Sequence, residues 1–171
     1  MADGPGASGE PDGSAASGGP GAPGPATDRA WLARAIELSR ACPPATGAFS
    51  VGAIVVDAAG EVLATGYSRQ HEPADHAEEV ALAALDPADP RLTAATIYSS
   101  LEPCSTRASR PRPCAQLIVA SGIGRVVFAW REPAVFVDCT GAEDLRAAGL
   151  EVVELPELAD AVRAVNAHLL D

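Results

Sequence analysis

Residues 51–67, VGAIVVDAAGEVLATGY, carry the clearest structural signal in this chain. They contain two β-rich runs, Val51–Asp57 and Val62–Tyr67, joined by four residues that include Gly60. Two such runs joined by a short glycine-containing turn are typical of an antiparallel hairpin. Because Val51–Val56 is a continuous apolar run of strand length, we predict that it is a buried strand.

Helical and strand patterns alternate on both sides of this hairpin. Before it, apolar residues at helical spacing predict a helix that ends at Cys42-Pro43-Pro44: Trp31, Leu32, Ala35, Ile36 and, on the same face, Ser39. After it, the predicted elements are a helix over His76–Leu85, a strand over Thr96–Ser100, a helix over Cys114–Ser121, a strand over Arg125–Trp130, a helix over Glu143–Ala148, a strand over Leu150–Glu154 and a final helix over Glu157–Leu170. This order predicts an α/β protein, a three-layer α/β/α sandwich around a five-stranded mixed sheet.

The first 27 residues differ in composition from the rest of the chain. They hold 8 of the 16 glycines and 5 of the 15 prolines, and they contain no aromatic residue. Such a segment buries too little apolar surface to offset the entropy of ordering it. We therefore predict a disordered tail over residues 1–27, with a partner-binding arm as the alternative, and one domain over residues 28–171.

Charge and cysteine content exclude several classes of function. The 12 basic residues are all Arg, the acidic residues number 23, and the formal net charge is −11. Duplex nucleic acid is not an expected partner, because binding phosphates requires a basic surface. No apolar run reaches the roughly 18–20 residues of a membrane span. Four cysteines without a charged-then-apolar leader favour a reducing cytoplasm, and we expect Cys42 and Cys139 to be packing residues, with a pocket position as the alternative for Cys139.

Two fragments contain residues suited to metal chemistry: His76-Ala77-Glu78, and the loop from Pro103-Cys104 to Pro113-Cys114. His-x-Glu followed by a Pro-Cys motif with a second Cys is the signature of zinc deaminases. One imidazole and two thiolates are three suitable zinc ligands, which leaves the fourth tetrahedral position for water. Each ligand group lies at a predicted helix N-terminus, where the helix dipole and the free N–H groups favour thiolate over thiol.

Glu78 follows the predicted ligand His76 by two residues. A zinc ion with three protein ligands lowers the pKa of water in its fourth position to about 7. Glu78 is placed to take a proton from that water and to pass it to a ring nitrogen and then to the leaving amine. The alternative is that Cys104 and Cys114 are core thiols and His76 a hydrogen-bonding side chain; the combination of all four residues favours the metal site.

The spacing of the two cysteines departs from the short form of this motif. Nine residues separate Cys104 from Cys114, and they include Arg107, Arg110 and Arg112. Guanidinium groups bind phosphate in a bidentate manner, so one interpretation is a phosphorylated substrate. The other interpretation is solvated surface charge that pairs with nearby glutamates.

These residues resemble the deaminase domain of the bifunctional riboflavin-biosynthesis deaminase/reductase, in the cytidine-deaminase-like superfamily. The resemblance covers about residues 28–171 and rests on Val51–Val56, Gly66-Tyr67, His76-Ala77-Glu78, Leu101–Ser105, the long gap to Pro113-Cys114, Gly124–Val127, Glu132-Pro133 and Leu145–Val152. It implies one zinc ion per chain at His76, Cys104 and Cys114, Glu78 as the proton shuttle, and a homodimer or larger assembly. It also implies that any NADPH-dependent reduction is absent or belongs to another protein.

Several positions that contact substrate in this family carry other residues here. Ala48-Phe49-Ser50 replaces Asn-Pro, Ser68 and Thr106 replace histidines, and Glu132-Pro133-Ala134 replaces Asp-Pro-Asn. Each lost hydrogen-bond partner of a buried polar ligand costs about 1–3 kcal/mol, so other groups must compensate if the family's substrate is to bind. The candidate substrate contacts are Phe49, which is alternatively a core residue, Ser68, Thr106, Arg107, Arg110, Arg112 and Glu132.

The leading hypothesis is a zinc-dependent hydrolytic deaminase that acts on a small aminopyrimidine or a related heterocycle, of the riboflavin-pathway type. One alternative is a deaminase for a cytidine- or deoxycytidylate-like substrate or for a precursor in specialised metabolism. Another is a zinc-bound dimeric scaffold without activity. A redox thiol protein is a third, which would require a disulfide between Cys104 and Cys114.

Overall fold

The computed structural model describes residues 24–133 and 139–170. Within these residues five strands form one sheet in the order β2-β1-β3-β4-β5. The strands are β1 (Gly52–Val56), β2 (Val62–Tyr67), β3 (Thr96–Leu101), β4 (Arg125–Trp130) and β5 (Glu151–Glu154). β1 pairs antiparallel with β2 and with β3, whereas β3, β4 and β5 are parallel. The predicted mixed sheet and the predicted hairpin are confirmed.

Two close backbone contacts show that helices cover both faces of the sheet. The helices are α1 (Pro25–Leu38), α2 (Ala77–Ala83), α3 (Cys114–Ser121), α4 (Gly141–Ala147) and α5 (Ala159–Val165). A Cβ at Gly52 would collide with the α1 backbone, and a Cβ at Gly66 would collide with the α2 backbone. Gly66 pairs with Ala53, and neighbouring residues of a strand face opposite sides. α1 and α2 therefore lie on opposite faces, as the three-layer prediction requires.

The core lies between these layers. β1 and β3 are buried along their whole length, while the edge strands β2 and β5 are partly exposed. The largest fully buried side chains are Trp31, Tyr98, Phe128, Leu32 and Ile97. α1 is also held by polar contacts, since Asp28 accepts hydrogen bonds from the Tyr98 hydroxyl (2.9 Å) and from both Nη atoms of Arg125 (2.8 Å each). No helix in the described ranges is long and apolar enough to span a membrane.

The first and the last helix differ from the prediction. α1 begins at Pro25, so residues 25–27 belong to the folded domain and not to the tail; proline is favoured in the first turn of a helix because its missing N–H needs no partner there. The rest of the tail prediction, over residues 1–23, lies outside the described residues. The prediction of one continuous final helix was wrong, because α5 is flanked by two short 3₁₀ helices, Pro156–Leu158 and Ala167–Leu169.

The last interruption occurs at Asn166, whose side chain is fully buried. Its Oδ1 accepts a hydrogen bond from the Ser50 N–H (2.7 Å), and its Nδ2 donates to the carbonyl oxygens of Ser50 (3.1 Å) and Val162 (3.1 Å). These bonds tie the end of the chain to the segment just before β1. Because Ser50 is 116 residues away in the sequence, helical periodicity could not predict this contact.

Candidate metal centre and active site

Three side chains meet where β3 ends and where α2 and α3 begin. His76 Nδ1 lies 3.6 Å from Cys104 Sγ and 3.4 Å from Cys114 Sγ, and the three ligand atoms all lie within 4.8 Å of one another. A tetrahedral zinc ion with ordinary bond lengths separates a histidine nitrogen from a thiolate sulfur by about 3.5 Å. The donor types and their separations therefore fit a zinc ion.

Local structure places each of these donors. His76 is the residue before α2, and its backbone N–H donates to the side chain of Glu79 (3.4 Å) in the manner of a capping box. Cys114 is the first residue of α3, and its N–H donates to Cys104 Sγ (3.2 Å). The side-chain hydrogen bond between the two thiols lowers the pKa of Cys104, whereas that bond and burial raise the pKa of Cys114.

Glu78 lies in the first turn of α2 and is almost completely buried. Its Oε1 accepts a hydrogen bond from the hydroxyl of Ser99 on β3 (2.6 Å). Burial raises the pKa of the Glu78 carboxyl, and the bond from Ser99 opposes that shift. A buried carboxyl that is held in place beside three metal-ligand atoms is suited to carry a proton. The sequence analysis did not identify Ser99, because a serine inside an apolar strand has no local signature of function.

A cavity of about 510 Å³ opens onto this cluster. This volume lies within the usual range of small-molecule sites, about 300–1,000 Å³. Five of the seven predicted substrate contacts line the cavity: Phe49, Ser68, Thr106, Arg107 and Glu132. Arg110 lines a neighbouring cavity instead, and Arg112 is exposed and is not among the lining residues. Ala134 lies outside the described residues.

The arginine loop is bound to the α2 side of the site. The side chain of Arg107 is only 3% exposed, and it donates to Glu79 Oε2 (3.0 Å) and to the Ala74 carbonyl (2.6 Å). Arg110 forms ion pairs with Glu72 (2.6 Å), Glu79 (3.3 Å) and Asp75 (3.4 Å). Both guanidinium groups are therefore paired with carboxylates, as the second interpretation of this loop expected, but Arg107 is buried and is not the solvated surface charge of that interpretation.

The wall of the cavity contains a cation that the sequence analysis did not identify. Arg69 lines the cavity, and it donates to the carbonyl oxygens of Pro43 (3.0 Å) and Phe49 (2.9 Å) and to Ser50 Oγ (2.9 Å). Its neighbour Ser68 accepts a hydrogen bond from the Val51 N–H (3.1 Å). A single arginine after a strand carries no recognisable motif, so only the fold places Arg69 at the site.

The buried Glu102, which lies beside the half-buried Glu132, connects the cavity to α4. Glu102 accepts hydrogen bonds from the backbone N–H groups of Ala142 (2.9 Å) and Glu132 (3.2 Å). Burial raises the pKa of the Glu132 side chain to about 7.

Burial raises the pKa of Cys139 to about 12, and its thiol donates to the Pro103 carbonyl (3.6 Å), which is the behaviour of a packing residue. Cys42 donates to the Val51 carbonyl (3.4 Å).

A mixed sheet of this order, with a histidine and a cysteine at the start of two helices and a second cysteine after β3, defines the cytidine-deaminase-like class of proteins. The chain belongs to the family of the cytidine and deoxycytidylate deaminase zinc-binding region, whose model matches residues 25–130. The predicted fold class and the predicted superfamily are both confirmed.

Within this family, the chain is similar to the following curated relatives and solved structure. It is 39% identical over 127 residues to a diaminohydroxyphosphoribosylamino-pyrimidine deaminase of Schizosaccharomyces pombe, covering 72% of this chain and 31% of that protein. It is 31% identical over 126 residues to a protein of the same name from Buchnera aphidicola, covering 73% of this chain and 82% of that one. A Thermotoga maritima diaminohydroxyphosphoribosylaminopyrimidine deaminase/5-amino-6-(5-phosphoribosylamino)uracil reductase matches in structure with a TM-score of 0.70 and 33% identity, covering 81% of this chain and 38% of that one. The chain thus spans about a third of the length of the first and third of these proteins.

Proposed function

We propose that this protein is a zinc-dependent hydrolytic deaminase of the riboflavin-pathway type. It replaces the amino group of a phosphorylated aminopyrimidine with oxygen and releases ammonia. The observation that carries the proposal is the position of Glu78, which is held by Ser99 beside His76, Cys104 and Cys114 at a cavity of small-molecule size. The names of the relatives from S. pombe and B. aphidicola support the choice of substrate class.

In this proposal His76, Cys104 and Cys114 hold the zinc ion. When bound, the ion supplies Lewis-acid activation of a water molecule. Glu78 accepts a proton from the attacking water and donates it to the ring nitrogen next to the reacting carbon. It then carries the second proton of that water, which is now on the hydroxyl group of the reacting carbon, to the amino group. The bond between carbon and nitrogen breaks, and the amino group leaves as ammonia. Ser99 keeps Oε1 of Glu78 in one position throughout these transfers.

The remaining cavity residues bind the heterocycle. Phe49 packs edge-on against Trp130, with ring centroids 5.9 Å apart, so its ring is fixed as part of the wall. Ser68, Thr106 and Glu132 supply polar groups along the lining. These four residues occupy positions where the family has other side chains, so we expect them to decide which heterocycle is accepted.

Ammonia release from the purified, zinc-loaded chain tests this function. The panel consists of the riboflavin-pathway diaminopyrimidine ribotide, cytidine, deoxycytidine, their monophosphates and guanine, each with the Glu78→Gln variant as control. Release from the ribotide supports the proposal. Release from cytidine or a cytidine nucleotide instead supports a deaminase with changed specificity. No release from any member, with one zinc ion bound per chain, contradicts the catalytic proposal and favours the scaffold.

We also propose a homodimer or larger homo-oligomer in the cytoplasm, as the family resemblance implies. Light scattering after size-exclusion chromatography of the full chain measures this state. A mass of at least twice 17.3 kDa is expected, and a mass of 17.3 kDa contradicts the proposal.

A further inference from the structure

Arg69 carries a positive charge at the cavity, and no carboxylate of the described residues forms an ion pair with it. Its three internal hydrogen bonds end on two backbone carbonyls and one hydroxyl, at 2.9–3.0 Å, and these acceptors are all neutral. The ion pairs formed by residues 24–133 and 139–170 do not include Arg69. The charge is therefore available to a ligand in the cavity that Arg69 lines.

The other arginines near the cavity are less suited to bind an anion. The charge of Arg107 is compensated by Glu79 at 3.0 Å, and Arg110 is surrounded by three carboxylates. Arg112 is exposed outside the cavity. Asp75 is one of the acidic residues that line the cavity. Its carboxylate is bound by Arg110 and by two backbone N–H groups, and not by Arg69.

The hydrogen bonds of Arg69 leave part of its guanidinium group free. The group has five N–H donors, and the internal bonds use one on Nε, one on Nη1 and one on Nη2. One N–H therefore remains on each Nη atom. Free N–H donors on both Nη atoms suit the oxygens of a phosphate or carboxylate group. Because the internal bonds already hold the side chain, binding an anion orders it little further.

The backbone at Arg69 adds a second indication of constraint. Its φ is 61°, in the left-handed region that residues other than glycine seldom adopt. The Arg69 N–H donates to the Asp75 carbonyl (2.9 Å), which ties this conformation to the residue before the metal ligand His76. Residues held in such a conformation occur preferentially at binding and catalytic sites.

We propose that Arg69 binds the phosphate group of the substrate and thereby makes the enzyme selective for phosphorylated aminopyrimidines. This inference rests on the proposed function. It assigns to Arg69 the role that the sequence analysis offered to Arg107, Arg110 and Arg112. Arg69 touches the substrate away from the reacting carbon, so it affects binding and not the proton transfers of Glu78.

Kinetics of the zinc-loaded full chain test this role. In Arg69→Gln the KM for the phosphorylated aminopyrimidine is expected to rise about 10- to 100-fold, since a hydrogen-bonded charge pair is lost. The kcat changes little, and the KM for the same compound without its phosphate rises much less, because the lost hydrogen bonds to Phe49 and Ser50 loosen the cavity wall equally for both compounds. Arg69→Lys restores part of the loss. Arg40→Gln, which removes an exposed arginine outside the cavity, is the matched control. Equal losses on both compounds indicate a structural role and overturn the proposal, as does no loss.

A binding measurement separates this proposal from the proposed function. Isothermal titration calorimetry compares ribose 5-phosphate with ribose on the zinc-loaded wild type and on Arg69→Gln. We expect binding of ribose 5-phosphate that weakens at least about tenfold in the variant, and no difference for ribose. If that difference is found but no member of the deamination panel reacts, the anion site stands and the proposed function fails. If the panel reacts but ribose 5-phosphate binding is absent or independent of Arg69, only the anion site fails.

Discussion

The floor and the wall of the cavity are assembled in different ways. The floor, defined as the lining residues His76, Glu78 and Cys104 together with Cys114 behind them, comes from short motifs at the beginnings of α2 and α3 and just after β3. The wall, defined as the lining residues Phe49, Ser68 and Arg69 together with Ser50 behind them, is held by hydrogen bonds that run between loops and reach Asn166 near the end of the chain.

This difference assigns catalysis to the floor and substrate selectivity to the wall. The floor residues depend on helix termini and on each other, so a change of substrate need not disturb them. The wall residues depend on distant contacts, and three of them, Phe49, Ser50 and Ser68, stand where the family resemblance implies other side chains. We therefore expect floor variants to abolish turnover or metal binding, and wall variants to change KM and stability while turnover persists.

The largest effect is expected for Glu78→Gln on the floor. The amide cannot accept and return a proton, so kcat for deamination should fall by about 10²- to 10⁴-fold. Zinc content and the free energy of unfolding should change little, because the amide keeps the size of the side chain. Steady-state ammonia release and metal analysis measure both. Glu37→Gln, an exposed carboxyl at the end of α1, is the control. A variant that retains turnover would show that another group carries the proton.

Next in size is the loss of a metal ligand in Cys114→Ser. Replacing a thiolate ligand should weaken zinc binding by more than the 10- to 100-fold typical of residues behind the ligands. Titration of the metal-free chain with zinc in the presence of a competing chelator measures the affinity. Cys42→Ser is a matched control, because Cys42 lies outside the cluster and donates to the Val51 carbonyl. Equal affinities of the two variants would contradict the assigned ligand set.

A wall variant, Asn166→Ala, should give a different phenotype. It removes three buried hydrogen bonds and leaves the Ser50 N–H and carbonyl groups without partners, so the free energy of unfolding should fall by about 2–4 kcal/mol. KM should rise as the segment before β1 loosens, while zinc affinity stays unchanged. Urea unfolding and steady-state kinetics measure these effects. Gln116→Ala, an exposed amide on α3, should change stability by less than about 0.5 kcal/mol. A loss of zinc in Asn166→Ala would show that wall and floor are not independent.

The same division explains what could be predicted from sequence. α3 and β4 were predicted with their observed bounds, because Gly122 ends the helix in the left-handed conformation and a compact apolar run defines the strand. The floor residues can be identified because His76-Ala77-Glu78 and the two Pro-Cys pairs are short motifs that are recognisable without the fold. The interrupted last helix, Ser99 and Arg69 were not, since each depends on a partner that only the folded chain brings near.

The smallest effect is expected for Arg110→Gln, and it sharpens the distinction between the arginine loop and the wall. Arg110 is one-third exposed and its partner Glu72 is largely exposed, so solvent screens the pair and stability should fall by no more than about 1 kcal/mol. If Arg110 only fastens the loop to α2, any rise in KM is equal for the phosphorylated compound and for the compound without phosphate. A rise confined to the phosphorylated compound would move anion recognition from the wall to the loop. The quantity to compare is the rise in KM for the phosphorylated compound divided by the rise for the compound without phosphate. Its values in Arg110→Gln and Arg69→Gln therefore decide which of the two surfaces binds the phosphate of the substrate.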